Sequence, residues 1–198
     1  MGRRNKTRAL LGFTLAETLV AILIMLMVAS VATAGIPAAR NAYDKAVSAA
    51  NAQTLLSTAV TTLRSELSTA PKIEKQGPLD SSDSVTYYRA GSGVKAKLYL
   101  DKFGSGESEK TIMLQEGIPF DSNHATIGSP APQVFIQPLG RRSAADMSGC
   151  LYVTYRSIDI QHLADGYLTI QGLQVNQASG LQNLASLDEL VIRVIAAS

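Results

Sequence analysis

Hydrophobic and polar positions change rhythm twice along this chain. From Thr18 through Ala39 the sequence runs 22 positions without a charge. At about 1.5 Å rise per residue that is roughly 33 Å of helix, enough to cross a hydrocarbon layer of about 30 Å. From Arg40 to Ala70 the apolar residues Ala42, Ala46, Ala49, Leu56, Val60, Leu63 and Leu67 recur at spacings of four and three, with Gln53 in the one missed place. Asp44, Ser48, Asn51, Ser57, Arg64 and Ser68 fall mostly elsewhere on the wheel. That is the pattern of a one-sided amphipathic helix ending before Pro71. The two segments together predict a rod of about 55 residues, roughly 80 Å long. The Gly35-Ile36-Pro37 step is expected to interrupt it with a kink or weak turn, because proline has no amide donor and crowds the carbonyl of Thr33.

Past Pro71 the period shortens. The runs "SVTYYRAG", "KAKLYLDKFG", "TIMLQEGIPF", "QVFIQPLG", "CLYVTYRSIDI", "GYLTIQGLQV" and "LDELVIRVIAA" are β-prone and separated by turn residues. Gly91-Ser92-Gly93 between the first two marks a hairpin. Asp101–Glu109 reads as a charged turn, and 121–133 and 176–186 as loops. No fixed-period repeat is present. The expected fold is α+β: a long N-terminal helix whose amphipathic half packs on an antiparallel sheet of four to seven strands.

Charge refines the picture. Arg3, Arg4, Lys6 and Arg8 precede Gly12 with no acid among them, leaving 14 basic against 16 acidic residues in the remainder. A basic flank before the apolar run and a mixed one after it (Arg40, Asp44, Lys45) predict a single pass with the N-terminus cytoplasmic and the body outside. The slightly acidic body argues against nucleic-acid binding, which requires a basic face to displace counterions. Cys150 is the only cysteine, so no intrachain disulfide and no thiolate metal cluster can form.

One carboxylate, Glu17, stands at the front of the greasy run. The string "GFTLAE" followed at once by an apolar helix resembles the class III signal of type IV pilins and the pseudopilins of type II secretion and competence systems. The specific likeness covers Met1 to about Ile36; beyond that only the architecture is similar. The resemblance implies a leader at 1–12, a transmembrane and filament-core helix at 13–36, an amphipathic helix at 37–70 and a β-rich head at 71–198. It further implies cleavage between Gly12 and Phe13 by a membrane prepilin peptidase, N-methylation of Phe13, and pairing of Glu17 with the new amine of a neighbouring subunit. The expected partners are that peptidase, other pilins or pseudopilins, a platform protein, an assembly ATPase, and membrane lipid before extraction into a filament outside the cytoplasmic membrane. No cofactor or metal is implied. Physical reasons accompany each part. Gly12 offers no side chain to a protease cleft. Glu17, four residues after Phe13, lies on the same helical face as the freed amine. A carboxylate in lipid costs about 2.5–3.5 kcal/mol at mid-depth unless it finds a partner.

Competing readings stand beside these. Ala32-Thr33-Ala34 before Gly35 would suit an ordinary secretory signal, although Leu10 to Val31 is longer than the usual apolar region and contains Glu17. An uncleaved signal anchor is another alternative. Glu17 could bond only its own Phe13 amine. Pro37 could be an incidental kink or a hinge; the usual proline place of the family corresponds to Ala34 here. The mature length of 186 residues and the lack of a cysteine pair favour a minor subunit. A filament-displayed adhesin or DNA receptor is a second functional class, favoured by a basic cluster of Lys95, Lys97, Arg141 and Arg142. An exported enzyme is a third, favoured by an organised polar pocket in the head. His124, His162 and Cys150 read as solvated or packed residues, and Asp101 with Glu107–Glu109 lacks calcium-loop spacing. "GSGVK" and "GSGESEK" lack the phosphate-loop pattern, and no constellation supports catalysis.

Overall fold

The computed structural model describes residues 14–74, 84–102, 110–117, 131–140, 149–178 and 182–195. Helix α1 spans Leu15–Ser68 as one element with Pro37 inside it. The expected interruption at Gly35-Ile36-Pro37 therefore does not end the helix. Proline's φ is already helical, and the loss at this site is one backbone hydrogen bond. Two compact units are distinguished, one up to Ala46 and one from Val47 onward.

In the second unit, α1 buries Ala52, Leu55, Ala59, Leu63 and Leu67, and Ala70 follows just beyond. This corrects the expected stripe. Ala42 and Ala46 are exposed, and Leu56 and Val60 are only partly buried at the margin of the core. The true seam has shifted by one residue in its upper turns, to Leu55 and Ala59. Ala52 and Ala59 alternate with leucines along this seam, and the larger Leu56 and Val60 stand beside it.

The rest of the unit is β-structure, arranged as two sheets where the sequence pattern suggested one. The first is an antiparallel meander, β1 (Lys72–Glu74), β2 (Ser84–Tyr88), β3 (Lys95–Lys102), β4 (Lys110–Glu116) and β5 (Gln133–Val134), in that spatial order. The second contains β6 (Leu151–Thr154), β7 (Ser157–Asp159), β8 (Tyr167–Gln177) and β9 (Asn183–Arg193), with β8 central and β9 along its other side. β6 and β7 hold one continuous register on β8, Thr154 opposite Gln174 and Ser157 opposite Gln171, so they are one interrupted strand. The break falls at Arg156, across from Gly172. There φ is +63° and an added Cβ would lie 3.0 Å from the Arg156 Cβ. Burial on β8 slips by one residue at the same place: Leu168 and Ile170 are buried before it, Leu173 and Val175 after it.

Several boundaries differ from the sequence pattern. β1 went unrecognised because three residues directly after Pro71 carry no period. "QVFIQPLG" pairs over only two residues before Pro138, and Leu139 then forms an isolated bridge to Leu151. The expected loop at 176–186 shrinks, because β8 reaches Gln177 and Asn176 pairs with Asn183. Backbone pairing carries these polar residues into strand although they lack hydrophobic alternation. The hairpin at Gly91-Ser92-Gly93 is present as expected, with both glycines at positive φ and the Arg89 amide donating to the Val94 carbonyl at 3.0 Å. One hydrophobic cluster joins the helix seam to both sheets, through Val85, Leu98 and Ile112 of the first and Val153, Ile170 and Leu173 of the second. Thr111 Oγ1 donates to the Val153 carbonyl at 3.1 Å and ties the sheets at β4 and β6.

Candidate functional site

The site built by the N-terminal segment begins at Thr14. Its side chain accepts from the Glu17 amide at 3.3 Å, while Glu17 Oε2 accepts from the Thr14 amide at 2.9 Å and from its hydroxyl at 3.1 Å. This reciprocal arrangement is a capping box, and it satisfies donors that the first turn of a helix leaves without partners. The Thr-x-x-Glu spacing was legible in the sequence, yet the reading of Glu17 as a subunit contact passed over it. Gly12 and Phe13 lie outside the described residues, as do the leader and any contact between Glu17 and a Phe13 amine.

Behind the cap the helix is apolar on every side. Leu19, Val20, Ile22, Leu23, Ile24, Met25, Leu26 and Met27 are all exposed, and consecutive residues on a helix point 100° apart. A helix hydrophobic all round belongs in lipid or in a bundle of other helices. By length and composition it is long enough to cross a membrane. Its hydroxyl residues do not disturb that surface: Ser30 donates to the Met27 carbonyl at 2.8 Å and Thr33 to the Ala29 carbonyl at 2.7 Å. At Gly35 an added Cβ would meet nothing within 4 Å, so no packing among the described residues requires the glycine there.

The head's ionisable side chains form a polar clasp that the sequence did not reveal. Glu66 sits in the last turns of α1, which carries no basic residue in its final turn. Arg89, from the β2–β3 hairpin, supplies the missing cation. Its Nε lies 2.6 Å from Glu66 Oε1, and the guanidinium also pairs with Glu116 of β4. Tyr87 donates its hydroxyl to Glu66 Oε1 at 3.0 Å. A cation placed here opposes the negative end of the helix dipole. The hydrogen bond to Glu66 holds Arg89 above its usual pKa. Burial, reinforced by the Glu66 charge, pushes the Tyr87 phenol up. A second pair joins Lys95 Nζ to Glu74 Oε2 at 2.6 Å, and Lys72 lies over the Tyr88 ring at 5.8 Å. The partners come from residues 21 to 27 positions apart in the first cluster, beyond the reach of any local spacing rule.

The remaining candidates are placed as follows. Cys150 is fully buried against Val134 and Ala178. His162 is exposed after β7, with Nδ1 3.3 Å from Asp165 Oδ2. Lys95 is ion-paired, and Arg141 and Arg142 lie outside the described residues, as do His124 and Glu107–Glu109. An open cleft of about 400 Å³ is lined by Asp165, Gly166, Arg193, Val194 and Ile195, which bring one acid and one guanidinium together without a nucleophile.

No protein-family model, curated protein or solved structure matches the chain. The fold itself defines an α+β protein whose long apolar N-terminal helix continues into a helix packed on antiparallel sheets, an architecture compatible with that of pilins.

Proposed function

We propose that this chain is a structural subunit, of the minor kind, of a type IV pilus-like or type II secretion or competence pseudopilus filament. The reading is carried by one observation: a helix apolar on every face, with a single carboxylate in its capped first turn, whose far half is seated in an α+β head. Prepilin peptidase cuts between Gly12 and Phe13 and the Phe13 amine is methylated. The helix rests in lipid until a platform protein and an ATPase extract it, and neighbouring subunits then cover the apolar surface that lipid covered before. In that step Glu17 pairs with the Phe13 ammonium of an adjacent subunit and sets its axial register. The capping box is compatible with this role. A carboxylate has about four lone-pair sites, and the Thr14 amide and hydroxyl use two of them, both on Oε2.

Mass spectrometry of the protein from cells containing a prepilin peptidase tests the reading. The expected N-terminus is Phe13 carrying one additional methyl group. A chain beginning at Met1, or at Gly35 after Ala34, overturns it.

A further inference from the structure

Among the described residues, most strand edges of the head are short or covered. β1 and β5 have three and two residues, and β6 is flanked by the Leu139–Leu151 bridge and the Thr111 hydrogen bond. β9 differs. It is 11 residues long, contains no proline or lysine, and among the described residues pairs only with β8. The Val194 amide donates to the Gly166 carbonyl at 2.9 Å, in the same register that sets Ile192 opposite Leu168 and Leu190 opposite Ile170. In an antiparallel ladder, alternate residues turn their amide and carbonyl toward one neighbour. Leu190, Ile192 and Val194 thus face β8, and Glu189, Val191 and Arg193 turn theirs away from it, along an edge that no described strand covers.

The side chains beside that edge are unusual for a solvated surface. Val191 is 47% exposed and Ile195 65%, and Tyr167, paired across from Arg193, is 43% exposed. A long, partly apolar edge without lysine or proline is a template for another strand.

We propose that a second copy of this chain docks on it, β9 against β9 in antiparallel fashion about a two-fold axis at Val191. Charge selects both the occupant and the register. Centring the axis on Val191 sets Glu189 opposite Arg193 twice, Val191 opposite Val191 and Leu190 opposite Ile192, and Asp188 meets Val194 instead of a like charge. Centring it at Glu189 would oppose two carboxylates directly, which is unfavourable on a sheet face. A strand that complements itself in this way fits an isologous contact, in which the same patch serves both partners. The contact lies wholly in the head and does not rest on the filament reading.

The test uses the full-length chain in membranes, treated with dibromobimane, a short thiol-bridging reagent. Cys150 is buried, so the unaltered protein serves as the blank. Val191→Cys is expected to give a covalent dimer. Thr169→Cys, on β8 opposite Val191, is expected to give none, because three strand spacings would separate the two thiols by about 14 Å. In the Val191→Cys chain, Glu189→Arg or Arg193→Glu alone should lower the dimer yield roughly five-fold, and the two together should restore it. Equal bridging by Val191→Cys and Thr169→Cys, failure of the double exchange to restore dimer, or bridging to a different protein would each overturn the proposal.

Discussion

Leu55 and Leu56 are adjacent, chemically identical, and assigned opposite roles by the sequence pattern and by the structure. Periodicity puts Leu56 in line with Leu63 and Leu67. The fold leaves Leu55 only 7% exposed and sets Leu56 at the margin of the core. Replacing Leu55 by alanine removes three buried carbons, about 2.4 kcal/mol of transfer free energy at about 0.8 kcal/mol per methylene. The space left against the sheets raises that toward about 3 kcal/mol, since cores relax only partly around a lost side chain. Leu56→Ala should cost about 1 kcal/mol, and Leu63→Ala, fully buried, at least as much as Leu55→Ala. The assay is urea unfolding of the full-length chain in detergent, read by near-ultraviolet circular dichroism of the buried Tyr87, Tyr152 and Tyr155. With a slope of about 2 kcal/mol per molar urea, Leu55→Ala lowers the midpoint by about 1.5 M and Leu56→Ala by about 0.5 M, with slopes unchanged. If Leu56→Ala proves the more damaging of the two, the seam described above is wrong.

Two further predictions address function and charge. Glu17→Leu should leave cleavage at Phe13 intact while reducing filament incorporation about ten-fold or more, equivalent to at least about 1.4 kcal/mol; incorporation equal to wild type in a complementation assay removes the subunit-pairing role. Tyr87 has its pKa raised by burial, so the unfolded chain loses this proton first, above the ordinary tyrosine value of about 10, and stability then falls as pH rises. Its share of that slope is at most about 1.4 kcal/mol per pH unit. Tyr87→Phe should therefore be less stable by about 1 kcal/mol at neutral pH, through loss of the bond to Glu66, yet show a shallower alkaline decline between about pH 10 and 12. Identical alkaline slopes for the two proteins would contradict the burial argument.

What the sequence determined by itself was whatever depends on residues close together along the chain. Composition and length together make residues 18–39 capable of spanning a membrane, because an apolar run of that length has this property wherever it lies. The β2–β3 hairpin was readable from two glycines, since positive φ is a local demand. The capping box was equally local, and Thr14 and Glu17 could have been paired from their spacing. The tertiary structure decided the rest. Whether Leu55 or Leu56 faces the core depends on which side of a helix stripe roughly 100° wide the sheets approach, and the helix sequence by itself does not settle that. The division into two sheets follows from which strands pair, β1 to β5 with one another and β6, β7 and β9 with β8, so that Arg156 must pass Gly172 sixteen residues further on. The Glu66–Arg89–Glu116 clasp likewise exists only after distant segments meet, because ion pairing acts on distance in space and is blind to separation along the chain.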